Sequence, residues 1–180
     1  MEAKNIDWKK VSQSLPYKAD ADSKARRLKL WKLVDINGNG YASLAEVDKA
    51  LRDAMNIDAV FKCKPAIIIA FTAAKNSSKT TSKYGPDYVE LKEFRHLLYS
   101  LRQYFEYYQA FARIDTSDDN RIDQKEFTAA LPSLVRWVGH VADPVAEFKK
   151  IDKNGGGQIL FNEFVPWALS KNLDLEDDDE

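Results

Sequence analysis

The sequence predicts an all-α protein made of four helix–loop–helix units in two pairs, with one further helix at the N-terminus. Three observations predict this. Twelve-residue stretches that open on Asp and close on Glu run from Asp35 to Glu46, Asp115 to Glu126 and Asp152 to Glu163. Apolar residues at helical spacing flank every stretch on both sides. The last two stretches begin 37 residues apart, the length of one helix–loop–helix unit.

The elements follow in chain order. Trp8, Val11 and Leu15 share one face of a helix, with Lys9 and Lys10 beside them. That face either docks on the protein's own groove or lies on a membrane surface or partner helix. Leu28, Leu30, Trp31 and Val34 form the stripe before the first loop, and Asp22 or Ser23 is placed to cap its helix. Tyr108, Phe111 and Ile114 precede the second loop, and Val145, Phe148 and Ile151 the third. An aromatic residue stands four before each opening Asp, and a branched one immediately before it. After the loops come Val47, Ala50 and Leu51, then Phe127, Ala130 and Leu131, then Phe164, Trp167 and Ala168. These stripes are core faces.

The loops themselves carry the chemistry. A hard cation such as calcium takes roughly six to eight oxygens, and one loop supplies them from positions 1, 3, 5, 7, 9 and 12, turning sharply at 6. In the first loop these are Asp35, Asn37, Asn39, the Tyr41 carbonyl, Ser43 and Glu46, with Gly40 at the turn. The second offers Asp115, Ser117, Asp119, the Arg121 carbonyl, Asp123 and Glu126, with Asn120 at the turn. Asn tolerates the left-handed backbone needed there. The third offers Asp152, Asn154, the Gln158 carbonyl and Glu163 around Gly157. Gly156 and Leu160 bring no oxygen to positions 5 and 9, so it is the weakest; the second, with four carboxylates, is the strongest. This is the EF-hand pattern, and Ca2+ is the cofactor expected. Ile122 and Ile159, at position 8, suit the short strands that join two loops.

Such hands pair, so the first loop needs a partner. Pro65 can open a helix through Ile67, Ile68, Phe71 and Ala74, and a second runs from about Glu90 through Phe94, Leu97, Leu98 and Leu101. Between them lies a polar stretch, Lys75 to Asp87. Val89 occupies the strand position and Glu93 the closing one. Counting back from Glu93, Ser82, Tyr84 and Pro86 fall at positions 1, 3 and 5, which holds no cation. The hand is degenerate and kept for packing. No Gly or Pro interrupts Leu97 to Ile114, so helix joins the two pairs. The aromatics Tyr99, Tyr104, Phe105, Tyr107, Tyr108 and Phe111 there read as core between the pairs or as a groove for a target helix. The expected organisation is an N-terminal helical segment (1–20), an N-terminal EF-hand pair (21–102), a C-terminal pair (103–172) and an acidic tail (173–180).

Composition narrows the function. The net charge is -1, yet residues 1–34 carry nine Lys/Arg against four Asp/Glu. That basic stretch could meet an acidic surface or membrane, or be a solvated face. One cysteine, Cys63, cannot form an internal disulfide, which fits a reducing, cytoplasmic compartment. No apolar leader follows Met1, and Glu2 stands where acylation needs Gly. His96 and His140 have no nucleophile beside them, and no phosphate loop is visible. An enzyme is not expected, nor a nucleic-acid partner.

The chain resembles the flagellar calcium-binding proteins of kinetoplastids, the calflagins. The segments that carry the resemblance are Asp7-Trp8-Lys9-Lys10, Ser14-Leu15-Pro16, Arg26-Arg27-Leu28-Lys29-Leu30, Val89-Glu90-Leu91-Lys92-Glu93-Phe94-Arg95 and Phe111 to Phe127. Asp143-Pro144, Phe148 to Gly155, Glu163-Phe164 and Trp167 continue it. The resemblance implies a calcium sensor of a flagellum or cilium with its principal sites in the C-terminal pair. The family's acylated Met-Gly start is not matched here. A sensor would expose apolar surface to a protein target, cytoskeletal or flagellar. With only two Met, a dedicated partner is expected rather than promiscuous recognition. The alternatives are an axoneme-type structural component and a calcium buffer that does not switch.

Overall fold

The computed structural model describes residues 6–77, 84, 85 and 87–173. The expected positions Ser82 and Pro86, and the tail from 174, lie outside them. The described chain is helical, with two-residue strands at the loops. It divides into two compact units, Ile6–Phe105 and the part from Glu106 onward.

In the first unit, α1 (Trp8–Ser14) begins where the Asp7 carboxylate accepts the Lys10 amide at 2.8 Å. Trp8, Val11 and Leu15 are buried, and Trp8 packs on Phe105 at 5.5 Å between ring centres. The N-terminal helix therefore seats its apolar face on its own unit. Helix α2 (Ala21–Val34) is capped by Asp20, not by Asp22 or Ser23: its carboxylate accepts the Ser23 amide at 2.8 Å. A cap needs non-helical backbone, which Asp20 has (ψ 164°), whereas Asp22 and Ser23 already lie inside the helix. Strand β1 (Tyr41–Ala42), α3 (Leu44–Asp53), the short α4 (Asp58–Phe61), α5 (Lys64–Lys75) and β2 (Val89–Glu90) follow. Pro65 sits in the first turn of α5 as expected. The four-residue α4 has no amphipathic period to announce it.

Helix α6 (Leu91–Ile114) runs unbroken through the boundary at Phe105. The second unit then holds β3 (Ile122–Asp123), α7 (Gln124–Val138), α8 (Pro144–Ile151), β4 (Gln158–Ile159) and α9 (Phe161–Ser170).

Each unit has its own aromatic core. Trp31 meets Phe94 edge-on at 5.1 Å in the first. Phe111 meets Phe164 at 5.5 Å, and Phe127 meets Phe148 and Trp167 at 5.9 and 5.6 Å, in the second. The aromatics of α6 sort accordingly: Phe105 packs on Trp8, Tyr108 and Phe111 on Phe161, and Tyr99 on Tyr17.

Three residues placed in the stripes by spacing are exposed instead: Leu28 (47%), Ile68 (52%) and Val145 (41%). In α2 the inward place one turn before Trp31 belongs to Arg27, whose guanidinium donates to the Pro16 and Lys18 carbonyls at 2.7 and 2.6 Å. In α5 the buried face is Ile67, Ala70, Phe71 and Ala74, one position away from Ile68. In α8 it is Phe148 and Ile151, with Val145 in the first turn outside it.

Candidate metal centres

Each complete loop aims its own amides at its own oxygens. In the first, Asp35 takes the Asn39 amide on Oδ1 and the Gly40 amide on Oδ2, both at 3.0 Å. Asn37 Oδ1 accepts the Asn39 amide at 2.9 Å, and Asn39 Oδ1 the Tyr41 amide at 3.1 Å. Glu46 closes the ring: Oε1 accepts from Asn37 Nδ2 at 3.0 Å, and Oε2 from the Ser43 amide and hydroxyl at 2.9 and 2.8 Å.

The second loop repeats the plan. Asp115 takes the Asp119 and Asn120 amides at 3.3 and 2.8 Å, and Ser117 Oγ donates to Asp115 Oδ1 at 3.2 Å. Asp119 accepts the Arg121 amide at 2.9 Å. Glu126 Oε1 reaches the Thr116 and Ser117 amides at 3.0 and 2.9 Å and the Thr116 hydroxyl at 3.0 Å, while Oε2 accepts the Asp123 amide at 2.9 Å. Partial burial pushes the Glu126 carboxyl up, but the amides of Asp123 and Ser117 and the two hydroxyls outweigh it, so it ends below the ordinary range.

In the third loop Asp152 takes the Gly156 and Gly157 amides at 3.0 and 2.8 Å. Glu163 binds Asn154 through its amide (3.1 Å) and side chain (2.8 Å), and the Leu160 amide at 3.0 Å. Leu160 heads α9 with a hydrocarbon that cannot accept the first-turn amides, so that cap is half of the one at Asp123.

The backbone explains the turn residues. Gly40, Asn120 and Gly157 have φ of 90°, 64° and 76°, the left-handed region where Gly and Asn are tolerated. The loops join by antiparallel strands, Tyr41 opposite Glu90 and Ala42 opposite Val89 in one pair, Ile122 opposite Ile159 and Asp123 opposite Gln158 in the other. The degenerate hand keeps this strand and its closing residue: Glu93 is buried and accepts the Glu90 amide at 2.9 Å.

In each of the three complete loops the carboxylates at ligand positions thus accept the loop's own amides. Among the described residues, however, no three Asp, Glu, His or Cys side chains converge on a point. The first and third loops have only two carboxylates at ligand positions, and in the second each of the four accepts at least one loop amide. The side-chain donors at the ligand positions are oxygens, with no His or Cys among them, so the set fits calcium rather than a softer metal. Two contributors escaped the sequence reading. Thr116, at position 2, binds Glu126 without standing at a ligand position. The reciprocal caps of Asp123 with Glu126 and Ser43 with Glu46 were legible as a Ser/Asp-x-x-Glu spacing.

Residues 11–101 match the FCaBP EF-hand domain and residues 104–169 the EF-hand domain pair. The chain is 34% identical to a flagellar calcium-binding protein of Trypanosoma cruzi over 173 residues, covering 95% of this chain and 82% of that one. It is 32% identical to flagellar calcium-binding protein TB-17 of Trypanosoma brucei brucei, covering 97% and 76%. For TB-1.7G of the same organism the figures are 33%, 98% and 79%.

Proposed function

The chain belongs to the family of EF-hand flagellar calcium-binding proteins, and from that premise we propose that it is a flagellum- or cilium-associated calcium sensor that engages a protein partner. It is an EF-hand calcium-binding protein. Bound calcium supplies a compact divalent charge at the centre of a loop. Asp35, Asn37, Asn39, Tyr41, Ser43 and Glu46 would hold it in the first hand. Asp115, Ser117, Asp119, Arg121, Asp123 and Glu126 would do so in the second complete hand, and Asp152, Asn154, Gln158 and Glu163 in the last. We assign the chain no catalytic activity.

The observation that supports a sensor most is the position of Glu126. One carboxylate clips residues 116 and 117 at the loop's start to Asp123 at the head of α7. Any rearrangement of that carboxylate toward an ion would pull the start of the loop and α7 together. Exposed apolar residues in the same unit, Val135 (50%) and Leu169 (40%), are available for a partner to cover. The partner would be a cytoskeletal or flagellar protein.

Titrating the full chain with calcium in the presence of a hydrophobic dye tests this. A calcium-dependent rise in dye binding supports the sensor. Tight calcium uptake with no rise would instead mark a buffer or scaffold. Sedimentation with microtubules regardless of calcium would favour the scaffold.

A further inference from the structure

In a working loop, position 3 aims an oxygen into its own ring, as Asn37, Ser117 and Asn154 do. In the degenerate hand that position is Tyr84, and its ring crosses to the neighbouring loop. The Tyr84 ring lies 4.7 Å from that of Tyr41, and its hydroxyl lies over Gly40, 2.8 Å from where a Cβ on that residue would stand. Tyr88, at position 7 of the degenerate loop, packs on Tyr41, at position 7 of the first, at 4.4 Å.

The other pair is built differently. Its two position-7 residues, Arg121 and Gln158, meet through a hydrogen bond of 2.8 Å. A Cβ on Gly157 would meet nothing within 4 Å. Asn120 and Gly157 are exposed, whereas Gly40 is half-buried. Only in the first pair, among the described residues, does a side chain of the partner hand cover the turn.

We propose that the degenerate hand is a positioning device for the first calcium loop, with Tyr84 as the residue that holds the Gly40–Tyr41 turn in its ligating shape. This rests on the reading of the Asp35–Glu46 loop as a site. The physical reasoning is preorganisation. Gly40 donates to Asp35, and the Tyr41 carbonyl is a ligand, so whatever immobilises these two residues reduces the ordering left to be done on binding. Glycine loses more conformational freedom on ordering than any other residue, and of the loop's two positive-φ glycines, Gly38 and Gly40, Tyr84 covers Gly40. The side chain at position 3 of the degenerate hand lies against the neighbouring turn and serves there as a clamp.

The test uses the full chain as wild type, Glu46→Gln, Glu126→Gln, Tyr84→Ala and Tyr84→Phe, titrated with calcium by calorimetry. Glu46→Gln identifies the step that belongs to the first loop. Tyr84→Ala is expected to weaken that step roughly three- to tenfold, the range of one aromatic contact. It should leave the step abolished by Glu126→Gln unchanged. Amide exchange at Gly40 and Tyr41 in calcium-free protein should quicken in Tyr84→Ala, and Tyr84→Phe, which keeps the ring on Tyr41 but loses the hydroxyl over Gly40, should fall between wild type and Tyr84→Ala in both measurements. An unchanged Glu46-dependent step with unchanged exchange overturns the proposal, as does an equal loss at both steps, which would mean general loss of fold. A wild-type protein without any Glu46-dependent step overturns the assignment of the first loop as a site. The exchange comparison, made without the ion, then still decides whether Tyr84 holds the turn.

Discussion

Asp123 and Glu126 hold each other by reciprocal hydrogen bonds: the Glu126 amide donates to Asp123 Oδ1 at 2.8 Å, and the Asp123 amide donates to Glu126 Oε2 at 2.9 Å. The same two side chains stand at positions 9 and 12 of the loop expected to be the strongest. Helix capping and the proposed ion binding therefore draw on one pair of carboxylates.

Glu126→Gln should remove the tightest calcium step in a calorimetric titration, because the loop loses its closing carboxylate. It should also lower stability without calcium by about 1.5–3 kcal/mol, the size of a hydrogen bond to a charged group. Urea denaturation in a chelator measures this. Glu46→Gln and Glu163→Gln are expected to remove weaker steps.

Leu160→Asp should strengthen the last site and α9 together. Leu160 stands at position 9 and at the N-cap, and is 36% exposed, so the new carboxylate meets no crowded core. A cap of this kind is worth about 1 kcal/mol, readable as a rise in the metal-free denaturation midpoint. Calcium affinity of the Glu163-dependent step should rise in the same variant. No change in either quantity would mean that position 9 is not what limits this loop.

Trp8→Ala should destabilise the first unit by about 3 kcal/mol, the low end for a buried aromatic residue. Trp8 is 6% exposed, packs on Phe105, and has the Arg102 guanidinium 5.9 Å from its ring centre. Were the helix instead a free membrane or partner segment, denaturation of the isolated protein would be unaffected.

Glu147→Gln should cost stability only above acid pH. Glu147 accepts from the Trp167 indole at 2.9 Å and from Lys150 at 3.2 Å, with Lys171 at 3.5 Å. The indole bond, ahead of opposing burial, holds its carboxyl below the ordinary value of 4.5. A depressed folded value means a contribution that is full above the unfolded value and lost as pH falls through the folded one. The difference between wild type and Glu147→Gln should be flat above the ordinary carboxylate range and shrink as pH falls below it. A difference that persists unchanged at the acid end would assign the effect to shape rather than charge.

Much of this was written in short stretches of chain. Asp, Asn, Ser and Glu at fixed steps around a residue of positive φ make a loop whose bonds all fall within twelve residues, so spacing alone named the three rings and their closing glutamates. The degenerate hand was legible for the same reason, from Glu93 counted back to Tyr84. Local signals failed where two neighbouring residues competed for one face. Leu28 lost to Arg27, and Ile68 to Ile67, because the facing elements rather than the period select which side is covered.

The sequence by itself determined the all-α class, the loops, the strand positions and the oxygen character of the donors, since each depends on contacts a few residues apart. Tertiary structure alone decided that Asp20 begins α2, that Trp8 is seated on Phe105, and that Tyr84 reaches over Gly40 instead of into its own loop. Those outcomes depend on side chains brought together across long stretches of chain or on the backbone path they impose, and no periodicity records which of several apolar or aromatic surfaces another will meet.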